Sequence, residues 1–161
     1  MNDGIRFSEL LDYNAQETAR WKEWFAKHPD ALALPCDIAR ATTVAELLFH
    51  IFAVELNFAH LVRGRPKPDF KALPRATPEE LFAVHENATR MTREFLLQSE
   101  TISWAEPVSV GFRDIKATRR KMLAQAMLHS VHHRAQLAAL LRQRGYEDGW
   151  VHDILMSNAL E

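Results

Sequence analysis

At 161 residues, with 47% hydrophobic and 25% charged side chains, the chain is long enough for one domain that buries roughly 70% of its unfolded surface without disulfide staples. Twenty basic against 21 acidic residues give a net charge of −1, and no dense Lys/Arg cluster provides the electrostatic footprint of a nucleic-acid binder. The single Cys36 can form no internal disulfide, no apolar run reaches about 18 residues, and the opening MNDGIRFSELL has no signal-like apolar stretch, so a cytoplasmic protein with no membrane partner is expected.

Four long segments carry helical periodicity. In FSELLDYNAQETARWKEWFAKHP, Phe7, Leu10, Leu11, Trp21 and Phe25 recur at three- and four-residue spacing until Pro29 stops the pattern, with Asn14 and Thr18 as polar members of the stripe. The second segment opens at Thr43-Val44-Ala45-Glu46, which reads as a capping box, and should end at Gly64; LLFHIFAVELNFAHLV between them is apolar almost all round, as in a helix with little solvent-facing surface. RGRPKPDFKALPRATP then reads as a loop rather than a domain linker. The third helix begins at Thr77-Pro78-Glu79-Glu80, with Thr77 as N-cap and Glu80 completing a box, and turns Leu81, Ala88, Met91 and Phe95 to one side.

Before the last helix, TISWAEPVSVGFRDIK alternates Val108, Val110 and Phe112 as a short extended excursion. The fourth helix is the longest, from about Thr118 to Arg144, with Gly145 as terminator. The tail DGWVHDILMSNALE reads as a short amphipathic piece docked on the bundle. An all-α four-helix bundle accounts for this pattern better than a mixed sheet.

Three imidazoles fall within five residues of the fourth helix, in LHSVHHRAQLAALL. At about 100° per residue, His129 and His133 lie about 40° apart on one face, while His132 sits about 60° to the other side of His129. That face continues through Gln125 and Gln136 between Ala126, Leu137 and Leu140, so it should point inward. A buried imidazole without partners costs about 1 to 3 kcal/mol, which three clustered histidines would incur together unless an ion took their nitrogens. His50 on the second helix is flanked by Leu47, Val54 and Leu61 and also points inward, with Asn57 two turns along the same stripe. An i, i+4 pair plus one imidazole from another helix gives three nitrogen ligands, the pattern of a catalytic metal site with an open position.

At these residues the chain resembles the DinB-like superfamily of metal-binding four-helix bundles. The resemblance covers nearly the whole chain, residues 1–161 as a single domain, and is carried by LDYNAQETARW, ELLFHIFAVE and HSVHHRAQLAALLRQRG, the last similar to the family's H-x-x-H-H-R-x-Q signature. It implies metal ligation by His50, His129 and His133, an up-down-down-up bundle with a long crossover between helices 2 and 3, and a homodimer, for which the apolar tail residues Trp150, Ile154 and Leu155 are candidates. It also implies a range of activities that includes S-transferases and isomerases using a low-molecular-weight thiol, with a divalent ion, zinc or nickel, as cofactor and a small molecule as substrate. Ala135 stands where the signature often has Gly, a departure that should lengthen the helix and perturb only close packing.

Other residues complete the expectation. Asn14, Asn57 and Gln136 are candidates to orient ligands or substrate, and His132 to act beside the ligands rather than as one. Glu55, about 140° from His50, suggests an ion pair with Arg134 or a catalytic carboxylate. His85 lies on the third helix's apolar stripe, where a fourth ligand could come from, while His28, His60 and His152 read as solvated. The H-E-x-x-H protease motif fails because Ser130 follows the first histidine. Cys36 has no identifiable base. A metal-dependent thiol transferase is the leading reading; a metal-dependent hydrolase and a non-catalytic dimeric bundle with a structural or vestigial ion are its rivals.

Overall fold

A computed structural model describes residues 4–98, 103–111 and 115–160. Among them are four α-helices, α1 (Phe7–Lys27), α2 (Val44–Val62), α3 (Pro78–Leu97) and α4 (Arg119–Gln143), and a two-stranded antiparallel hairpin of β1 (Pro107–Ser109) and β2 (Lys116–Thr118). The hairpin is the expected extended excursion: Val108 pairs with Ala117, and the Val110 N–H donates to the Ile115 carbonyl at 2.8 Å. Phe112 lies outside the described residues.

The helix ends have local chemical causes. Thr77 accepts from the Glu80 N–H at 3.2 Å, and the Glu80 carboxylate accepts from the Thr77 and Ala76 N–H groups at 3.4 and 2.8 Å, so the box expected there is complete. At α2 only half of the expected box forms. Thr43 accepts from the Glu46 N–H at 3.2 Å, but the Glu46 carboxylate reaches one residue further and takes the N–H and hydroxyl of Thr42 at 2.7 and 2.8 Å. Both α2 and α4 stop in Schellman turns that need a left-handed residue: Gly64 at φ +68° and Gly145 at φ +83° let the Arg65 and Tyr146 N–H groups donate back to His60 and Leu141, each at 3.0 Å.

Helix α2 is the spine, packed on both α3 and α4, with Leu47, Leu48, Ile51, Phe52 and Leu56 no more than 2% exposed. By length and composition it could cross a membrane, although Glu46 and Glu55 interrupt its apolar run, and most of it is buried within the protein. The larger core joins it to Trp21, Phe25, Phe82, Leu137 and Leu141. A smaller one gathers Phe58, Val62, Phe95, Met122 and Leu123 beneath the hairpin. Arg119 ties the start of α4 to the end of α2 and to the segment before β1, donating to the Val62 and Ser103 carbonyls and to Glu106, each at 2.9 Å.

The tail docks on α1 more deeply than its sequence suggests. Trp150 packs edge-on to Trp21 at 4.8 Å between ring centres and donates to Glu17 at 3.3 Å, so this candidate for a dimer seam is used within the chain, whereas Leu155 is 84% exposed. His152 is not solvated as expected: its ring stacks on Trp21, and its two nitrogens meet Glu17 and Asp148, each at 2.8 Å. Burial would lower its pKa, but the two carboxylates raise it above the usual histidine value. His28 stacks on Trp24, and His60 meets the Pro66 carbonyl at 3.0 Å, so neither is simply solvated.

Candidate metal centre

Helix α2 delivers His50 and α4 delivers His129 and His133, one turn apart, to a single point where each offers a ring nitrogen and all three lie within 4.8 Å of one another. The Nε2 atoms of His50 and His129 are 3.1 Å apart. Two nitrogens bound tetrahedrally to one zinc ion at about 2.0–2.1 Å would stand about 3.3 Å apart, so this separation already matches the edge of a coordination polyhedron. The set contains only imidazoles, and no carboxylate joins it among the described residues. It can hold a divalent ion.

The three residues are half-buried rather than central, which corrects the expected orientation of α4. Its buried arc runs through Met122, Met127, Ser130, Arg134, Leu137 and Leu141, and Gln125, expected on the inward face, is exposed. Ser130 and Arg134 each follow a ligand by one residue, so each histidine sits about 100° round the helix from the residue after it, at the rim of that arc. An ion there would be reachable from solvent.

Burial lowers the pKa of all three. His129 is taken down to about 4 by burial first and then by the neighbouring His133 and His50; His50 is lowered by burial and by His133, and His133 by burial against the opposing bond to Gln136. At neutral pH the cluster is therefore uncharged, with lone pairs available to a cation. Gln136, a candidate for orienting a ligand, lies against His133: its Oε1 accepts from His133 Nδ1 at 2.7 Å, which leaves the Nε2 lone pair of that ring free. The Nδ1 of His129 is buried without a partner, as is Oδ1 of Asn57. His132 is exposed, its ring 5.0 Å from that of His133, and stands outside the ligand set.

Two other expected residues belong elsewhere. Asn14 and Glu55 form a second, fully buried cluster in which Glu55 Oε1 accepts from Asn14 Nδ2 at 2.9 Å and Ser130 Oγ at 2.6 Å, while Oε2 meets His85 Nδ1 at 2.6 Å. The partner of Glu55 is thus His85, not Arg134, and His85 is committed to that bond rather than serving as a fourth ligand. Arg134 instead donates to the Asn14 carbonyl at 3.2 Å and to Thr18 at 3.0 Å. Burial would raise the Glu55 pKa, but His85 and the three hydrogen bonds outweigh it and hold the carboxyl at about 2. Ser130 was missed as a partner of Glu55. Its place beside His129, on the apolar side, was the available signal.

The geometry agrees with what comparison finds. The family model described as the DinB family matches residues 1–158, and the chain belongs to that family. A search of the curated proteins returns no match.

Proposed function

We propose that His50, His129 and His133 hold a divalent ion, zinc or nickel, and that the protein is a metal-dependent S-transferase or related isomerase using a low-molecular-weight thiol. The observation that carries this reading is the convergence of three neutral imidazoles within 4.8 Å at a rim open to solvent. Since no ligand is charged, a bound ion would keep its full double charge and supply Lewis acidity, favouring the thiolate of a thiol whose unperturbed pKa is about 8.5.

The chain's own residues supply position. Gln136 fixes the tautomer and ring plane of His133. The 54° and 74° tilts of His129 against His50 and His133 keep the rings from stacking and turn their nitrogens towards a common centre. A hydrolase would need a base beside the triad, and the nearby buried carboxylate, Glu55, has both oxygens committed to hydrogen bonds. That favours the thiol reading over hydrolysis.

The same proposal takes the bundle as up-down-down-up, supported by the long connection over residues 63–77, and the working state as a cytoplasmic homodimer without nucleic-acid or membrane partners. Elemental analysis of protein purified without a His tag, followed by a thiol-conjugation screen, tests it. One zinc or nickel per chain and conjugation lost on chelation are expected; metal-free, full-length protein that binds neither ion would overturn the reading.

A further inference from the structure

A cavity of about 370 Å³ opens beside the triad, at the lower end of the ~300–1,000 Å³ range of small-molecule sites. His50 forms part of its wall, so the cavity and the metal centre share a side chain. Phe49 and Leu81 line its apolar side, and two exposed arginines, Arg40 and Arg75, line it as well. Neither arginine has an ion-pair partner among the described residues. Arg75 lies over the Phe49 ring at 4.4 Å, a cation–π contact that orients the group without neutralising it.

The one carboxylate in the wall, Glu46, is held at the entry to α2, where Thr42 donates to it from both N–H and hydroxyl, and the nearby charge of Arg75 also helps to lower its pKa. Two cations against one committed anion leave the wall positive.

The backbone that carries Arg40 is strained. Ala39 (φ 54°, ψ 29°) and Arg40 (φ 65°) are successive left-handed residues, neither a glycine, in a region that costs roughly 1 kcal/mol or more per residue. The turn is held from both sides, by the Ala41 N–H donating to Ile38 at 2.9 Å and the Cys36 N–H donating to Thr42 at 3.0 Å. A strained turn that sets an arginine without an ion-pair partner at the wall of a cavity bounded by His50 has the form of a binding device.

We propose that this cavity seats a small molecule bearing carboxylate groups, held by Arg40 and Arg75, with its reacting end towards His50. The inference rests on the triad as metal centre and adds the substrate class. Guanidinium suits this task because its planar fork matches the two oxygens of a carboxylate, and the apolar wall accommodates a short carbon chain between the anionic end and the reacting end.

Titration calorimetry of the cobalt-loaded protein with mercaptosuccinate, 2-mercaptoethanol and succinate tests it. Mercaptosuccinate should bind at least tenfold more tightly than 2-mercaptoethanol. Combining Arg40→Gln with Arg75→Gln should erase that preference and abolish succinate binding, while cobalt content and 2-mercaptoethanol affinity stay unchanged. Mercaptosuccinate binding more tightly than succinate would assign thiol and carboxylate to one molecule; equal affinities, both lost in the double variant, would assign the carboxylate to the electrophile. A preference that survives both substitutions, or no preference at all, overturns the proposal. Failure of the triad reading is separable: protein that takes up no cobalt refutes the metal centre, yet succinate binding to the metal-free wild type, lost in the double variant, would still uphold the arginine pair.

Discussion

Helices α2 and α4 meet in two polar clusters that are close in sequence and opposite in character. His50 and Glu55 are five residues apart on α2, and His129 and Ser130 are neighbours on α4. Around Glu55 both carboxylate oxygens have partners, supplied by Asn14, Ser130 and His85, and the group is 7% exposed. Around the triad the rings are half-exposed, mutually repelling once protonated, and joined by a single nitrogen-to-nitrogen contact. A buried carboxylate with both oxygens hydrogen-bonded has little left to offer a ligand, whereas convergent lone pairs at an accessible rim have chemistry to spare. The first cluster is read as structure and the second as site.

The largest expected effect separates the two at once. His129→Ala or His133→Ala should abolish metal retention, as read by elemental analysis, while circular dichroism remains that of a helical bundle, because each ring is only half-buried. Loss of helix together with metal would show that the triad also holds the fold, and the division would fail.

Glu55→Ala should act on the other property. It leaves His85, Asn14 and Ser130 without their common partner in a buried setting, and breaking a buried pair this way typically costs about 3–5 kcal/mol. For a chain of this size that is roughly 6 to 20 °C in melting temperature. The variant should still bind its ion below the transition. If metal affinity fell by more than tenfold in folded Glu55→Ala protein, the clusters would be one coupled unit.

Acid should distinguish them by pH window. The Glu55 carboxyl is lowered from 4.5 to about 2, so its contribution is complete above about pH 4.5 and disappears as pH falls from there towards 2, a loss on the order of 3 kcal/mol. The His129 pKa is lowered from 6.5 to about 4, so the unfolded chain takes a proton that the folded protein resists, and stability declines as pH falls from about 6.5 to 4. Urea midpoints of metal-free protein measured from pH 8 to 2 should therefore fall in two limbs. His129→Ala should flatten the upper limb and Glu55→Gln the lower; either substitution flattening both would contradict the separation.

Much of this was legible in the sequence, for reasons that also mark the limit. Helix ends follow from local chemistry, so Thr77 with Glu80, Gly64 and Gly145 located them well. The triad was legible because an i, i+4 pair on one helix and a single histidine on an apolar stripe constrain geometry strongly. What could not be read was which polar residue meets which across helices. Glu55 could meet His85 or Arg134, and only the packing of α3 against α2 decides for His85. His152 was hidden for the same reason, since Glu17 lies 135 positions away. The stripe on α4 was misplaced by one residue because the buried arc carries Ser130 and Arg134, polar residues that periodicity reads as outward-facing.

The smallest expected effect tests that one-residue displacement. His132 and His133 are adjacent and chemically identical, so composition cannot tell them apart, and only the 100° step between them separates a ligand from a bystander. His133 has its Nδ1 fixed by Gln136 and joins the cluster with His50 and His129; His132 is exposed and touches the cluster only through the edge of the His133 ring. Its removal takes away no ligand, and exposed substitutions of this kind stay within about 0.5 kcal/mol in stability. His132→Ala should therefore keep stoichiometric metal, with affinity within about threefold of the parent, while its melting temperature moves by no more than about 2 °C. Competition with a chromophoric chelator measures the affinity directly. If His132→Ala lost metal as completely as His133→Ala, the ligand face of α4 would have to be turned by one residue, and the position of the ion relative to the arginine-walled cavity would move with it.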